Sequence, residues 1–384
     1  MNPALPNIMF CIGDKCGNNR KKGGVNKDRG AILIVTLWVL AILTLFAIAL
    51  GKQASLEVKL AGYQRDKIRA IGLARAAIER AIAEREKWEE ENSLNPDIDT
   101  LNEPWANNEE VFKDIELGDE TFSGTFTVSY SLDGDMLYGM EDESSKININ
   151  KVGVGQLPLA VLANLLDSCG VEEAGEVVST IVAWRNKNGD FESIPELLLV
   201  RYEDEEDEVI TPQILYGEDK DEDGKISEEE AEGALARYLT VHSDGKININ
   251  TASEKVLAAL IRGTPSQGED PEALLDLIVN YRKTDEEIGN EDDGWFSAND
   301  IKNLIGQPAK NIGKSYNPDT GECAPFNKAE WDKLYSLVST DKLCVSSDIY
   351  TIYTQAQVNK VKATITATVD LRNPAKPYLY WHRN

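Results

Sequence analysis

Histidine is scarce in this chain: its 384 residues include two, His242 and His382. This argues against most histidine-based catalysis, and no set of nucleophile, base and acid appears elsewhere, so we predict no catalytic residues. Positive charge is scarce too, with 40 Lys and Arg against 66 Asp and Glu. Six of the basic and two of the acidic residues lie in residues 1–30, which leaves a net charge of −30 on the rest. Such a surface repels nucleic acid and anionic lipid and favours cations.

Charge is absent altogether from Ala31 to Leu50. These positions number about 20, the length that a helix needs to cross a bilayer core roughly 30 Å thick. Four basic residues lie just upstream, Lys21, Lys22, Lys27 and Arg29. An excess of Lys and Arg keeps its side of a membrane helix in the cytoplasm, so we predict a single span with a cytoplasmic N-terminus and all later residues outside.

The junction between Gly30 and Ala31 is a candidate cleavage site. A basic segment that ends in Gly directly before an apolar helix is typical of prepilin peptidase substrates, whether translation starts at Met1 or at Met9. Two alternatives remain at this point. An uncleaved signal anchor has the same charge and hydropathy. A secretory signal cut near residues 47–49 fits less well, because its apolar region usually has only about 7–15 residues.

The helical pattern continues beyond the apolar run, because no Pro occurs from Ala31 to Glu91. Apolar residues recur there at steps of three and four, which predicts one helix of about 60 residues, roughly 90 Å long. Its first third would lie in lipid and its last third would pack on a globular domain. We predict that its apolar stripe binds partner proteins; the stripe is Leu56, Leu60, Tyr63, Ile71, Ile78 and Ile82.

Strand patterns occur on both sides of a helical region. Residues from Phe122 to Leu132 alternate between apolar and polar, as do Ile349–Val358 and Val361–Leu371, which predicts half-buried strands. Asn359 and Lys360 would form the turn between the last two, and Tyr378–Trp381 would add a short final strand. Strands before and after a helical block indicate that an all-α domain is inserted into an α/β domain.

The helical block contains a duplication. The sequence Lys-Ile-Asn-Ile-Asn occurs at Lys146–Asn150 and again at Lys246–Asn250, and Ile181–Arg185 is echoed by Ile278–Arg282. Two copies of one helical unit follow from this repeat. The second copy carries an acidic insertion around Asp285 to Asp293, which we interpret as a solvated loop.

Each copy is predicted to cap the start of a helix. Asn150, Asn250 or Thr251 can satisfy free backbone N–H groups, and Thr251 with Glu254 fits a capping box. The letters Asn-Ile-Asn-Thr-Ala-Ser also open many helix-hairpin-helix DNA-binding modules. Neither copy has the Gly-x-Gly hairpin at the expected distance, and acidic surroundings make phosphate binding costly. We therefore predict helix capping and no nucleic-acid partner.

A metal site is predicted between Asp219 and Glu230 by the twelve-residue EF-hand spacing. Acidic residues stand at positions 1, 3 and 5, Gly at position 6 and Glu at position 12. The spacing supplies the hard oxygen ligands that calcium prefers. Because the sequence has no second such loop, we expect the ion to stabilise the structure rather than to act in a calcium sensor. The predicted ligands are Asp219, Asp221, Asp223, Lys225 through its carbonyl, Ser227 and Glu230.

The five cysteines divide between the two sides of the membrane. Cys11 and Cys16 belong to the cytoplasmic leader, where thiols stay reduced. Cys169, Cys323 and Cys344 would face an oxidising compartment. Cys323 and Cys344 are the candidate disulfide, although sequence alone does not determine connectivity.

Together these features resemble the K-type minor pseudopilin of bacterial type II secretion systems, the general secretion pathway protein K family. The resemblance covers nearly everything after residue 25, and the paired Ile-Asn-Ile-Asn segments are its most specific part. Its other motifs are the Arg29-Gly30 junction with the apolar helix behind it, Pro104-Trp105-Ala106, Asp348-Ile349-Tyr350 and Leu379-Tyr380-Trp381-His382. Most pseudopilins have Glu at the fifth mature position, where this chain has Val35, as the K-type implies.

The resemblance implies an α+β fold: a long pilin helix, a pilin-like domain with an antiparallel sheet, and an inserted all-α domain with duplicated helix-hairpin-helix-like units. The expected segments are the cleaved leader 1–30, the transmembrane helix 31–50, the pilin helix and first strands 51–145, the helical domain 146–340 and the last strands 341–384.

The resemblance also implies a non-enzymatic protein of the bacterial inner membrane with periplasmic domains. It would cap a short pseudopilus, help to start its assembly with the I-type and J-type minor pseudopilins, and act with prepilin peptidase and other secretion components. Two alternatives are a minor pilin of a type IV pilus or DNA-uptake machine, and a membrane-anchored calcium-binding protein unrelated to pili.

Overall fold

The computed structural model of the chain describes residues 28–91, 98–119, 122–155, 157–202, 208–221, 226–231, 233–264, 271–282, 314–317, 322–325, 336–337, 340–373, 375 and 377–383. The expectations for residues 1–27, for Asp223 and Lys225, and for the acidic insertion at Asp285 to Asp293 lie outside these residues. The chain divides into two compact units, Met1–Gly62 and Tyr63–Asn384.

In the first unit, the described residues belong to α1, a helix that begins at Asp28 and continues to Glu91 in the second unit. The predicted long helix is therefore confirmed, and it starts three residues earlier than expected. From Ala31 to Ala61 every side chain is exposed. Within the described residues α1 is the one helix long and apolar enough to cross a membrane, with a mean hydropathy of 2.8 in its most apolar stretch.

The second unit contains short helices and fourteen strands in its described part. The helices are α2 (Glu109–Phe112), α3 (Leu159–Ser168), α4 (Ala174–Asn188), α5 (Pro212–Tyr216), α6 (Glu228–Ala231), α7 (Glu254–Gly263) and α8 (Pro271–Arg282). The first strands are β1 (Ile115–Asp119), β2 (Phe122–Val128), β3 (Tyr130–Leu132), β4 (Asp135–Leu137), β5 (Glu141–Asp142), β6 (Ile147–Asn148), β7 (Leu239–Thr240) and β8 (Ile247–Asn248). The later strands are β9 (Lys314–Asn317), β10 (Glu322–Pro325), β11 (Leu343–Cys344), β12 (Ile349–Val358), β13 (Val361–Asp370) and β14 (Tyr378–Arg383).

The main sheet is antiparallel and has the strand order β1-β2-β12-β13-β14, with β5 also paired to β12. β12 and β13 form the predicted hairpin, in which Val358 pairs with Val361 across Asn359 and Lys360. Asn359 has a φ of +55°, a conformation that Asn tolerates better than most residues. The final strand is present and runs on to Arg383. β1 was not predicted, because Ile-Glu-Leu-Gly-Asp carries Gly and acidic residues that are unusual in strands.

The C-terminal half of α1 packs on one face of this sheet. Small residues at steps of three and four let the helix approach closely, and all are fully buried: Ala70, Ala74, Ala77 and Ala81. Gly124 on β2 lies under the same helix, where an added Cβ would be 3.0 Å from the Leu73 Cδ2 atom. This contact between helix and sheet forms the first hydrophobic core, which includes Phe126, Ile352 and Ile365.

This packing corrects part of the predicted partner stripe. Ile78 is fully buried, and Ile71 and Ile82 pack half-buried against the first core. These three side chains stabilise the protein's own domain, so they are not available to a partner. Leu56, Leu60 and Tyr63 are exposed.

A second hydrophobic core is built from the residues between β5 and β12. It extends from Ile147 to Val345 and includes buried faces of α3, α4, α7 and α8. Main-sheet strands come before and after it in the chain, so the α+β fold with an inserted domain is confirmed. The inserted domain is mainly helical but not all-α as predicted, because it also contains the short strands β6 to β11. The helical core runs through Leu343 and Val345, a few residues past the expected boundary at residue 340.

Candidate functional site

The two Lys-Ile-Asn-Ile-Asn copies fold alike. Each forms a two-residue strand that pairs in parallel with a segment far along the chain, β6 with β7 and β8 with β11. The backbone hydrogen bonds of the two copies are equivalent. In the first copy, the Ile147 N–H donates to the Tyr238 carbonyl at 2.9 Å and the Ile149 N–H to the Thr240 carbonyl at 3.0 Å. In the second copy, the Ile247 N–H donates to the Lys342 carbonyl at 2.8 Å and the Ile249 N–H to the Cys344 carbonyl at 3.1 Å. The duplication is therefore present in the structure as well as in the sequence.

The two segments that pair with these strands, which begin with β7 and β11, also have similar sequences. Leu239–Asp244 reads Leu-Thr-Val-His-Ser-Asp, and Leu343–Asp348 reads Leu-Cys-Val-Ser-Ser-Asp. Sequence reasoning missed this echo, because strands of two residues have no periodicity to detect. The four shared letters are the signal that could have located the end of each copy.

One arginine from each copy fixes the repeated segment. In the first copy the Arg185 guanidinium on α4 donates to the Ile149 carbonyl at 2.8 Å. In the second, Arg282 on α8 donates to the Ile249 carbonyl at 3.2 Å and to the Ala252 carbonyl at 2.6 Å. Burial lowers the pKa of both side chains, that of Arg282 to about 10, and both stay protonated near neutral pH. Buried carbonyls are satisfied in this way.

The predicted caps at Asn150 and Asn250 are wrong. The side chains of Asn148 and Asn248 instead accept the backbone N–H of Asn150 at 2.9 Å and of Asn250 at 3.0 Å. The Asn150 side chain pairs with the backbone of Phe191, donating to its carbonyl and accepting from its N–H, both at 2.9 Å. It joins the segment to the loop after α4, while α3 begins only at Leu159.

The predicted capping box of Thr251 and Glu254 is also wrong. Ser253 caps α7, its hydroxyl accepting the N–H three residues on, and Glu254 is the first residue of that helix. The Thr251 hydroxyl donates to Asp142 Oδ2 at 2.6 Å, and the Glu254 N–H donates to Asp133 Oδ2 at 3.0 Å. Both groups bind carboxylates that precede the helical domain in the chain, and sequence alone does not show such tertiary partners.

A buried ion cluster joins the helical domain to the main sheet. The Lys146 ammonium lies 2.5 Å from Glu141 Oε2 and 3.0 Å from Glu143 Oε1. Glu143 also accepts the Thr351 hydroxyl of β12 at 2.7 Å, and Glu141 accepts the Tyr353 hydroxyl at 3.0 Å. Because all three charged groups are buried, their hydrogen bonds decide whether the cluster stabilises the fold.

The pKa values within this cluster reflect burial opposed by pairing. Burial raises the pKa of Glu141 above its usual value, against the attraction of Lys146. Burial acts on Glu143 too, but Lys146 and the hydroxyls of Thr240 and Thr351 outweigh it and lower the pKa of Glu143. For Lys146, burial is outweighed by the two glutamates, so its pKa lies well above the usual value. The lysine is therefore the cation that holds both carboxylates.

A second buried pair ties α1 to the sheet. The Arg85 guanidinium lies 2.7 Å from Asp99 Oδ1. Asp99 Oδ2 accepts the Tyr350 hydroxyl at 2.9 Å and the Ser347 N–H at 2.5 Å. The Tyr350 and Trp105 rings meet edge to face with their centroids 4.9 Å apart. The long helix is thus fixed to β12 by polar as well as apolar contacts.

The structure brings three predicted metal ligands together. Asp219, Asp221 and Glu230 each offer a carboxylate oxygen, and these oxygens all lie within 4.8 Å of one another. That spacing fits a calcium ion with oxygens at about 2.3–2.6 Å from it. The other predicted acidic ligand, Asp223, and the carbonyl donor, Lys225, lie outside the described residues.

Glu230 already closes the loop through its two oxygens. One accepts the Lys220 N–H at 2.6 Å, and the other accepts both the Ser227 N–H and the Ser227 hydroxyl at 2.8 Å. These donors, chiefly Ser227, lower the pKa of Glu230 to about 2, so it is ionised at any physiological pH. Ser227 therefore lies beside the Glu230 carboxylate.

The predicted disulfide is absent at Cys344, which is a free thiol. Cys344 pairs through β11 with β8 of the helical domain, whereas Cys323 belongs to the separate β9–β10 hairpin. Burial raises the pKa of the Cys344 thiol well above its usual value, which makes the reactive thiolate rare.

Comparison with known proteins bears on the long helix first. Residues 29–79 match the family model described as PilX N-terminal. The N-terminal segment is pilin-like. This match spans the Gly30–Ala31 junction and much of α1. No curated protein sequence matches the chain.

One solved structure that the chain matches is a chain in the crystal structure of the GspK-GspI-GspJ complex from the enterotoxigenic Escherichia coli type 2 secretion system. The two chains are 15% identical with a TM-score of 0.42, and the similarity covers 84% of this chain and 98% of that one.

Proposed function

We propose that this chain is the K-type minor pseudopilin of a type II secretion system, located at the tip of the pseudopilus. The observation that carries the proposal is α1: an exposed apolar half long enough to span a membrane, then a half packed by its alanines on an antiparallel sheet. The PilX N-terminal match over residues 29–79 supports the same architecture. The role is one of assembly, helping to initiate the fibre and to limit its length.

Val35 supports a position at the end of the fibre. In ordinary pseudopilins, a Glu at the fifth mature position can pair with the N-terminal amine of a neighbouring subunit in the apolar core. An unpaired charge in such surroundings costs several kcal/mol. Val35 offers no carboxylate, and the Thr36 hydroxyl donates to the Leu33 carbonyl of its own helix. A subunit with nothing above it has no such amine to neutralise, and an inserted domain would obstruct a repeating stack.

The membrane orientation follows from charge. The leader carries six basic and two acidic residues before the apolar run, so it belongs in the cytoplasm, and both hydrophobic cores belong in the periplasm. Prepilin peptidase would remove residues 1–30 from the cytoplasmic side. The protein would then remain in the bacterial inner membrane until it enters the fibre.

The partners we propose are the I-type and J-type minor pseudopilins, and the contact surface is the exposed set Leu56, Leu60 and Tyr63. Co-expression is expected to give a complex with one copy of each protein. Leu60→Glu should reduce recovery of that complex about tenfold or more, because it places a charge in an apolar contact. Ala61→Glu adds the same charge to the next position, which faces another side of the helix, and should leave recovery near the wild-type level.

Purification of the tagged chain with both partners, followed by mass measurement of the complex, tests this surface. Equal recovery of the complex for Leu60→Glu and Ala61→Glu would show that the partners do not bind at Leu56, Leu60 and Tyr63. Absence of any complex would favour the alternatives, a type IV minor pilin or an anchored calcium-binding protein.

We further propose that the loop from Asp219 to Glu230 binds one structural calcium ion. The three clustered carboxylates supply the negative charge, and Asp223, Lys225 and Ser227 complete the ligand pattern in the sequence. A bound ion would neutralise carboxylates that repel one another. For a dissociation constant of about 10⁻⁴ to 10⁻³ M, about 10 mM calcium would stabilise the native state by about 1.4–2.7 kcal/mol.

Thermal unfolding of the detergent-solubilised chain tests the calcium proposal. Calcium is expected to raise the melting temperature and a chelator to reverse the rise. Glu230→Gln should abolish the response, whereas Glu228→Gln, which removes a charge at a position that the ligand pattern does not use, should keep it. If the melting temperature of the wild-type chain did not change with calcium, the proposed calcium site would be refuted.

A further inference from the structure

The strand β14 forms an open edge of the main sheet. It bonds to β13 on one side, and no other strand in the described part of the chain pairs with it on the other. All six of its side chains are exposed. The outer edge of such a strand presents backbone N–H and C=O groups that a further strand can bind.

Its side chains make this edge unusually apolar. Tyr378, Leu379, Tyr380 and Trp381 are between 37% and 46% exposed. Proteins usually protect an exposed edge with charged residues, Pro or a very short strand. β14 has six residues and no Pro; its charged residue, Arg383, is at its end, and a register shift interrupts its pairing opposite Thr368 and Val369, so its first four side chains form an uncharged edge. A persistent apolar edge of this kind is typical of a binding surface.

Contacts with α1 also hold this edge in place. A register shift opposite Thr368 and Val369 puts Tyr378 on the same face as Trp381, towards α1. The Tyr378 hydroxyl donates to Glu79 of α1 at 2.5 Å, and the Arg75 guanidinium lies 5.5 Å from the Trp381 ring centre. Because β14 is already ordered by these contacts, an added strand would not have to order it on binding.

Charge indicates what kind of strand fits. The charged groups at this edge are Arg383, the neighbouring Arg75 and the Glu79 carboxylate that binds Tyr378, so positive groups outnumber negative ones by one. The opposite edge of the sheet, β1, carries Glu116 and Asp119 instead. An acidic segment is therefore favoured at β14 over β1 by the local charge of the two edges.

We propose that β14 binds an extended acidic segment of a partner protein, which joins the main sheet as an additional strand beyond β14. Backbone hydrogen bonds would supply affinity, and alternate side chains packing on Leu379, Tyr380 and Trp381 would supply specificity. This surface is separate from Leu56, Leu60 and Tyr63, so it does not depend on the proposed function.

Two labelled peptides serve as probes for the detergent-solubilised full chain: eight residues that alternate Val and Glu, and eight that alternate Val and Lys. Fluorescence anisotropy is expected to show binding of the glutamate peptide at least about tenfold tighter than that of the lysine peptide. Leu379→Asp should weaken binding of the glutamate peptide about tenfold, since it removes apolar contact and adds a repelling charge. Leu117→Asp makes the same change on β1, at a side chain 40% exposed, and should have no effect.

Equal binding of the two peptides would overturn the inference. So would equal weakening by Leu379→Asp and Leu117→Asp, because the peptide would then not bind at β14. Self-association of the chain that Leu379→Asp abolishes would show that the occupant is a second copy, which also contradicts the proposal. Circular dichroism of both variants checks that the fold is intact.

Discussion

Replacement of Lys146 by methionine is expected to lower the free energy of unfolding by about 3–5 kcal/mol, because it leaves two buried carboxylates without their cation. Glu141 and Glu143 both contact the Lys146 ammonium, and both are buried where the helical domain meets the main sheet. Methionine keeps a chain of similar length, so the loss reports mainly on charge. Urea unfolding of the full chain followed by circular dichroism measures the change.

The repeat provides a matched control. Lys246 occupies the same position in the second copy, but its ammonium pairs with Asp341 at 2.8 Å where the two side chains are 29% and 66% exposed. Solvent screens such a pair, so Lys246→Met should cost less than about 1 kcal/mol. Equal losses from the two substitutions would contradict the view that the buried cluster joins the two parts of the fold.

The loss in Lys146→Met should also depend on pH. Burial already raises the pKa of Glu141, and removal of the lysine would raise it further. A carboxyl group whose pKa is higher in the folded than in the unfolded state destabilises the fold when ionised, and that cost falls as the pH falls. The deficit should therefore be smaller near pH 5 than near pH 7. A deficit that grows on acidification would argue against buried carboxylates as its cause.

Gly30→Glu is expected to abolish removal of the leader completely, because the peptidase needs a small residue before the cut. The wild-type chain extracted from membranes should begin at Ala31, and the variant should retain its original N-terminus. Gly51→Glu is the control: an added Cβ there meets nothing within 4 Å, and the residue follows the apolar run, so cleavage should be unchanged.

Intact-mass measurement distinguishes the outcomes of this experiment. A wild-type chain that keeps residue 1 would favour an uncleaved signal anchor. A wild-type chain that begins near Gly51 would favour a secretory signal. Cleavage of Gly30→Glu at the wild-type position would contradict prepilin-type processing.

Long elements with strong periodicity could be predicted from the sequence. α1 has no Pro over its whole apolar and amphipathic length, and β12 and β13 alternate over ten residues each. The inserted position of the helical domain followed from the order of these patterns. In each case the pattern depends on local backbone geometry, so the element could be predicted without knowing which distant residues contact it.

The predictions that failed depended on tertiary partners. Thr251 fits a capping box by spacing, yet its hydroxyl binds Asp142, which precedes it by 109 residues. Ile78 belongs to an apolar stripe, but the sheet that buries it forms from strands on both sides of the helical domain. The two-residue strands β6 and β8 have no period, and only their partners β7 and β11 define them.

The location of the chain along the fibre tests the central claim most directly. Pseudopili assembled with an epitope-tagged copy of this chain can be labelled with gold-conjugated antibody and imaged by electron microscopy. The tip assignment predicts label at one end of each fibre and none along the shaft, because Val35 and the inserted helical domain suit a subunit with nothing above it. Label at regular intervals along the shaft would contradict it.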